Sequence, residues 1–212
     1  MSLESLKNAF PWPDTMPKLS PDSHGWFSKH NIEMFKPLLK DKTIILEVGS
    51  WLGLSARFWL QNSSATVVCV DTWQGSEEHF TDNEWSSKIP TLFETFCVNQ
   101  WQWRDHLIPI KNTSIEGMKR VAEHGVEPDL IYIDASHSYE DVLADITTAD
   151  ALFPNAQIIG DDWNWKNLTR NMEKTVQAAV IDFCQTKNYT PVANHWAWII
   201  EKNPAANPET QI

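Results

Sequence analysis

The chain has 212 residues, 42% hydrophobic and 21% charged, the composition of an ordinary soluble domain with length enough for one core. Its 17 Lys and Arg against 28 Asp and Glu leave a net charge of −11, which argues against nucleic acid or an anionic membrane as the main partner, since both are met by basic faces. No run reaches the roughly 18 apolar residues of a membrane span, and three scattered cysteines without a CxxC pair read as buried free thiols, so a reducing, cytoplasmic setting is expected.

Residues 1–40 read as an N-terminal arm and helix that caps the rest. Pro11, Pro13, Pro17 and Pro21 predict a loosely structured arm, followed by a helix from about Ser28 that stops or kinks near Pro37. Residues 41–202 read as one α/β domain. The β-branched runs at 43–48, 65–71 and 129–134 have the look of doubly buried strands. Further strands are expected at 107–111 and 156–162, with helices after Gly53, at 91–101, 114–125, 138–153 and 171–188. The polar stretch 74–90 is a long loop or lid candidate. Residues 190–200 read as two strands joined by a tight turn centred on Asn194, and 203–212 as a flexible tail. Alternation of strand and helix implies a mostly parallel sheet covered on both faces, ended by an antiparallel hairpin.

In such a sheet, ligands lie beyond the carboxyl ends of the strands. The first strand runs into "LEVGSWLGLS", with Glu47, Gly49, Gly53 and Ser55; Trp51 stands where a dinucleotide fingerprint needs its second glycine, which disfavours a nicotinamide dehydrogenase. The second strand ends in Asp71, placed to accept the hydroxyls of a ribose. The third ends in Asp134 and the next in Asp161 and Asp162. Adjacent strands lie about 5 Å apart, so three acids would share one crevice and suit a hard divalent cation, Mg²⁺ by default, with Mn²⁺ or Ca²⁺ as alternatives. The metal-free alternative makes "DDWNW" a helix start, with one aspartate as its cap.

The pattern Glu47-x-Gly49-x-x-x-Gly53-x-Ser55 followed by Asp71 resembles the S-adenosylmethionine-binding half of class I methyltransferases, in the form of catechol O-methyltransferase and its relatives. "VDTWQGS" and "DLIYIDASHSYEDVLADI" are similar to a bacterial branch with macrolide and aminocoumarin sugar O-methyltransferases and cephalosporin hydroxylase-like proteins. The resemblance spans about 43–201 and implies a Rossmann-like seven-stranded sheet. It also implies that Glu47, Gly49, Trp51, Gly53 and Ser55 line the amino-acid end of the cofactor, that Asp71 holds the ribose, and that Thr113 and Ser114 face the adenine. Metal-dependent members carry an acid at the position of Asp134 and an acid pair, or an acid–amide pair, at those of Asp161 and Asp162.

A metal-bound hydroxyl is more easily deprotonated, and His137 is the candidate base, a helix-entry role being its plainer alternative. Ser136 stands where sugar-modifying members carry an acid, which weakens transfer of a macrolide-sugar substrate. His24 and Trp26 could close over the site from the arm. Trp163 is expected to line the pocket; Trp59, Trp196 and Trp198 are expected in the core. The expected protein is a metal-assisted, S-adenosylmethionine-dependent O-methyltransferase acting on a small-molecule hydroxyl, a sugar among the candidates. The alternative is a non-catalytic binding protein of the same fold. The arm at 1–27 leaves room for a homodimer contact.

Overall fold

The structure, a computed structural model, describes residues 2–76, 80, 83–167, 172–173 and 175–203. The element order is α1 (Leu3–Ala9), α2 (Lys29–Phe35), β1 (Ile44–Val48), α3 (Leu54–Asn62), β2 (Thr66–Asp71), α4 (Asn83–Ser86), α5 (Leu92–Gln100) and β3 (Leu107–Lys111). It continues through α6 (Ser114–Glu123), β4 (Leu130–Ile133), α7 (Tyr139–Leu152), β5 (Gln157–Gly160), β6 (Lys166–Asn167), β7 (Met172–Glu173), α8 (Thr175–Lys187), β8 (Thr190–Asn194) and β9 (Ala197–Glu201). Seven strands form one sheet in the order β3-β2-β1-β4-β5-β9-β8, parallel from β3 to β5, with β9 antiparallel to both its neighbours. This is the mostly parallel sheet with a terminal hairpin expected from the alternation, in the seven-stranded Rossmann-like form that the resemblance implies.

The pleat explains the two cores. Along β1, Leu46 and Val48 join the layer of α1, α6, α7 and α8, while Ile45 points to the opposite layer of α2, α3 and α5. Glu47 shares the side of Ile45 and is carried into that second core. The sequence order reverses between β1, from which the chain winds outward to β3, and β4, from which it winds towards β8. The crevice at this switch point, beyond the carboxyl ends, is where an open α/β sheet takes its ligand.

Several expectations are corrected. The arm is not loose: Leu6 of α1 is wholly buried, and the Trp12 indole N–H donates to the Leu107 carbonyl at 2.8 Å. The helix expected over 171–188 starts only at Thr175, because Met172–Glu173 pairs instead with Lys166–Asn167. The hairpin turn is His195–Trp196, one residue later than expected, since Asn194 still pairs with Ala197. Trp196 at that turn is therefore 40% exposed rather than in the core, whereas Trp59 and Trp198 are wholly buried as expected. No helix follows Asp162 directly, so neither aspartate caps one. Of the lid candidate, residues 77–79, 81 and 82 lie outside the described residues, as do 204–212 of the tail.

Trp198 ties the sheet to the site. Its indole N–H donates to the Asp161 carbonyl at 2.6 Å, and its ring covers Gly160 so closely that a Cβ there would come within 2.1 Å of it. Trp198→Phe removes the donor and leaves a buried carbonyl without it. The expected loss is about 1–3 kcal/mol, read as a lowered urea midpoint.

Candidate functional site

The glycine turn forms because β1 has to stop against its neighbour. Gly49, at φ +90°, bonds through its N–H to the Val70 carbonyl at 2.8 Å, and a Cβ on it would lie 2.0 Å from the Asp134 carbonyl oxygen. Trp51 at φ +47° and Gly53 at φ +82° complete a turn with three left-handed residues, one of them a tryptophan. Asp71 holds this strained backbone. Its Oδ2 accepts from the N–H groups of Ser50 and Trp51, both at 2.8 Å, and its Oδ1 from that of Trp73 at 2.7 Å. Of the roughly four acceptor positions of a carboxylate, two are thus used by the turn and a third by the backbone two residues further on.

Glu47 sits beneath the turn, wholly buried, with the Trp59 indole N–H donating to Oε2 at 2.6 Å and the Cys69 thiol 3.7 Å from Oε1. Burial pushes its carboxyl up to about 7, against the opposing pull of Ser50, Trp59 and Ser55. It therefore supports the turn from inside, not from the open face. Ser55, in the first turn of α3, is likewise buried. Thr113 caps α6 and Ser114 begins it, just beyond β3. Burial pushes the carboxyl of Asp145 up to about 7, against the opposing pull of Ser114.

Two strands away the acids converge, as the adjacency of β4 and β5 requires. The Tyr132 hydroxyl lies 2.9 Å from Asp134 Oδ2 and 3.3 Å from Asp161 Oδ2. Asp134 keeps some surface, yet its carboxyl is pushed well above the usual range. Loss of water around it comes first and the charges of Asp161 and Asp162 next, with His137 and Tyr132 pulling down. Asp161, pushed up to about 6 by burial and then by Asp162, faces inward. Its Oδ2 also accepts from Asn31 Nδ2 at 2.6 Å, and its Oδ1 accepts from the Asp162 N–H at 2.8 Å.

Asp162, at φ +61°, swings the other way and pairs with His137, Nε2 to Oδ2, at 2.9 Å. One donor atom each from Asp134, His137 and Asp162 lie within 4.8 Å of one another. This N/O donor set, with like charges crowded together, fits a divalent cation. Of the acid pair, the structure gives Asp162 to the cluster and turns Asp161 towards protein donors. His137, expected as a base, stands among the prospective ligands, its ring 4.0 Å from that of Trp165. Trp163 is half-buried against the core of α7 and α8, and its N–H donates to the Trp196 carbonyl at 2.8 Å; Trp165 is the ring next to the cluster.

The arm from Asp22 to Asn31 straps across the strand ends. His24 and Trp26 pack with Trp51 of the glycine turn and Trp85, ring centroids 3.9 to 6.3 Å apart. Phe27 packs on Phe58, Trp59 and Tyr132, and Asn31, wholly buried, reaches Asp161. Sequence reasoning did not single out Asn31, Asn99 or Tyr132. Only Tyr132 had a signal, its place two residues before Asp134 on the same strand face.

A family model described as a methyltransferase domain matches residues 46–163. No curated protein sequence matches the chain. Among solved structures, a Staphylococcus aureus protein provisionally assigned as a caffeoyl-CoA O-methyltransferase superposes with a TM-score of 0.59 at 16% identity, over 95% of this chain and 92% of that one. A Bacillus cereus O-methyltransferase in complex with SAH gives 0.54 at 16% identity, over 93% and 86%. A TDP-rhamnose 3′-O-methyltransferase of calicheamicin biosynthesis gives 0.53 at 12%, over 84% and 82%. At these identities the likeness is one of fold.

Proposed function

The chain belongs to the methyltransferase-domain family with the class I S-adenosylmethionine fold, and from that premise we propose that it methylates a hydroxyl of a small molecule with the help of a divalent cation. The observation that carries the proposal is the convergence of Asp134, His137 and Asp162 beside the switch-point crevice.

In this reading the glycine turn receives the amino-acid end of S-adenosylmethionine, with Gly49, Trp51 and Gly53 shaping it and Glu47 and Ser55 supporting it from below. Asp71, with one acceptor position left, addresses the ribose; Thr113 and Ser114 stand on the adenine side. Bound S-adenosylmethionine supplies a methyl group on a sulfonium, open to attack in line by an oxygen, and a cation lowers the pKa of that oxygen's proton. The chain's own residues prepare this. Asp134, Asp162 and His137 would hold the cation, while Asp161, fixed by Asn31 and Tyr132, orients the turn that carries Asp162. Trp165 and the strap keep water from the crevice. Trp163 is retained as a wall near the acceptor, through the loop it shares with Trp165. A sugar acceptor is the narrower reading, supported by the fold likeness to the rhamnose methyltransferase.

The His137–Asp162 distance of 2.9 Å also favours a second reading. A metal-free acid–base pair would look the same, with Asp162 orienting His137 as the base that takes the acceptor's proton.

Calorimetry with S-adenosylmethionine and SAH, each with and without Mn²⁺ and Mg²⁺, tests both. The proposal expects SAH to bind, Mn²⁺ to bind, and Asp162→Ala to weaken Mn²⁺ by more than about tenfold, a scale that even outer partners of metal sites reach. No binding of either nucleoside would overturn the methyltransferase reading. Nucleoside binding indifferent to any cation would leave the metal-free pair.

A further inference from the structure

We propose that Asn99 is a positioning residue for the cofactor site, fastening the N-terminal strap to the glycine turn. This rests on the reading that the turn holds the amino-acid end of S-adenosylmethionine.

Asn99 lies near the end of α5 and is only 8% exposed. Its Nδ2 donates to the Asp22 carbonyl at 2.6 Å and to the Leu52 carbonyl at 2.9 Å, and its Oδ1 accepts from the Asp22 N–H at 3.0 Å. One side-chain amide thus pairs both backbone groups of a strap residue, as a neighbouring strand would, and spends its second N–H on the turn. Leu52 lies between Trp51 and Gly53, both left-handed, so the carbonyl it holds belongs to the part of the turn least able to keep its shape alone. Gln100 beside it donates to the Gly53 carbonyl at 2.8 Å and packs so tightly that a Cβ on Gly53 would come within 2.3 Å.

The two residues divide the work. Gln100 bonds the turn alone, whereas Asn99 bonds turn and strap at once. At the same place Lys88 Nζ meets Asp22 Oδ2 at 2.8 Å, and His24 and Trp26, two and four residues further on, reach the aromatic cluster around Trp51. Without Asn99 the turn loses a buried donor and the strap its backbone partner. A ligand that needs both in place must then order them itself, and its affinity falls by that cost.

The test is SAH binding to the full chain by calorimetry, with limited proteolysis of the strap followed in parallel. Asn99→Ala is expected to raise the SAH dissociation constant by about tenfold or more, the effect of an ordering cost near 1.4 kcal/mol. SAH should slow cleavage within the strap, residues 22–31, of the wild-type chain and fail to do so in the variant, because coupling between two sites is reciprocal. Trp12→Phe, which loosens the arm at Leu107, should lower stability and leave SAH affinity unchanged. A purely structural Asn99 would behave like Trp12, so a folded Asn99→Ala that binds SAH within about twofold of wild type overturns the proposal. If Asn99→Ala does not fold, Asn99→Ser, which keeps one hydrogen-bonding group, decides by the same criterion. Failure of the wild-type chain itself to bind SAH would remove the cofactor reading and this proposal together, an outcome separate from the first.

Discussion

Gly49→Ala is expected to unfold a large fraction of the molecule or to destroy the turn. At φ +90° a side chain costs about 1–2 kcal/mol in backbone strain. The added methyl would also sit 2.0 Å from the Asp134 carbonyl oxygen and 2.7 Å from the Ala135 Cα, which are backbone atoms that no rotamer change can move. Pushing β4 away adds an overpacking cost of about 1–3 kcal/mol. The sum, about 2–5 kcal/mol, is a large share of a domain's stability. The same displacement would carry Asp134 away from Asp162. The measurements are the urea midpoint and, on any folded fraction, Mn²⁺ and SAH binding; a midpoint within error of wild type would contradict the close approach of β1 and β4.

Glu47→Gln is expected to stabilise the protein above neutral pH and to do little in acid. An unfolded glutamate titrates near 4.5, and the buried Glu47 near 7. Below pH 4.5 the carboxyl is neutral in both states and burial of its charge costs nothing. Between 4.5 and 7 the folded chain holds a proton that the unfolded chain has lost, so stability falls as pH rises through that window and then levels off. A gap of about 2.5 pKa units corresponds to about 3 kcal/mol. Glutamine keeps an oxygen for the Trp59 indole and carries no charge. Its urea midpoint should exceed that of wild type at pH 8 and meet it near pH 4.5. Asp161 and Asp145, also raised, give the remaining slope the same sign in both proteins. Equal loss of stability in the variant at both pH values would show that packing, not charge burial, governs the site.

The fold and the positions of the candidate groups were legible from local pattern. A β-branched run such as 129–134 buried on both faces, the glycine spacing at 49 and 53, and acids at strand ends are all encoded within a few residues, and parallel pairing then brings Asp134 and Asp161 together. The hairpin is legible for the same reason, although its turn falls one residue beyond the Asn194 centre that the pattern suggests. The docking of the arm is not legible there, because proline density says only that a segment is not helical, and it does not say whether the segment docks.

The sequence by itself determined that acids and a glycine turn stand at one edge of a doubly covered sheet. Which carboxylate faces outward was decided by tertiary structure. Asp161 and Asp162 are adjacent and chemically identical, and the buried Asn31, 130 positions away in the chain, and the hydroxyl of Tyr132 hold the first inward. The left-handed backbone at Asp162 sends the second to His137. Likewise Asp71, expected to serve a ligand, turns one carboxylate oxygen to the N–H groups of Ser50 and Trp51, where the chain leaves β1, and the other to that of Trp73. A polar group's role depends on which partner it meets in the fold, and that partner is set by long-range packing that local spacing does not carry.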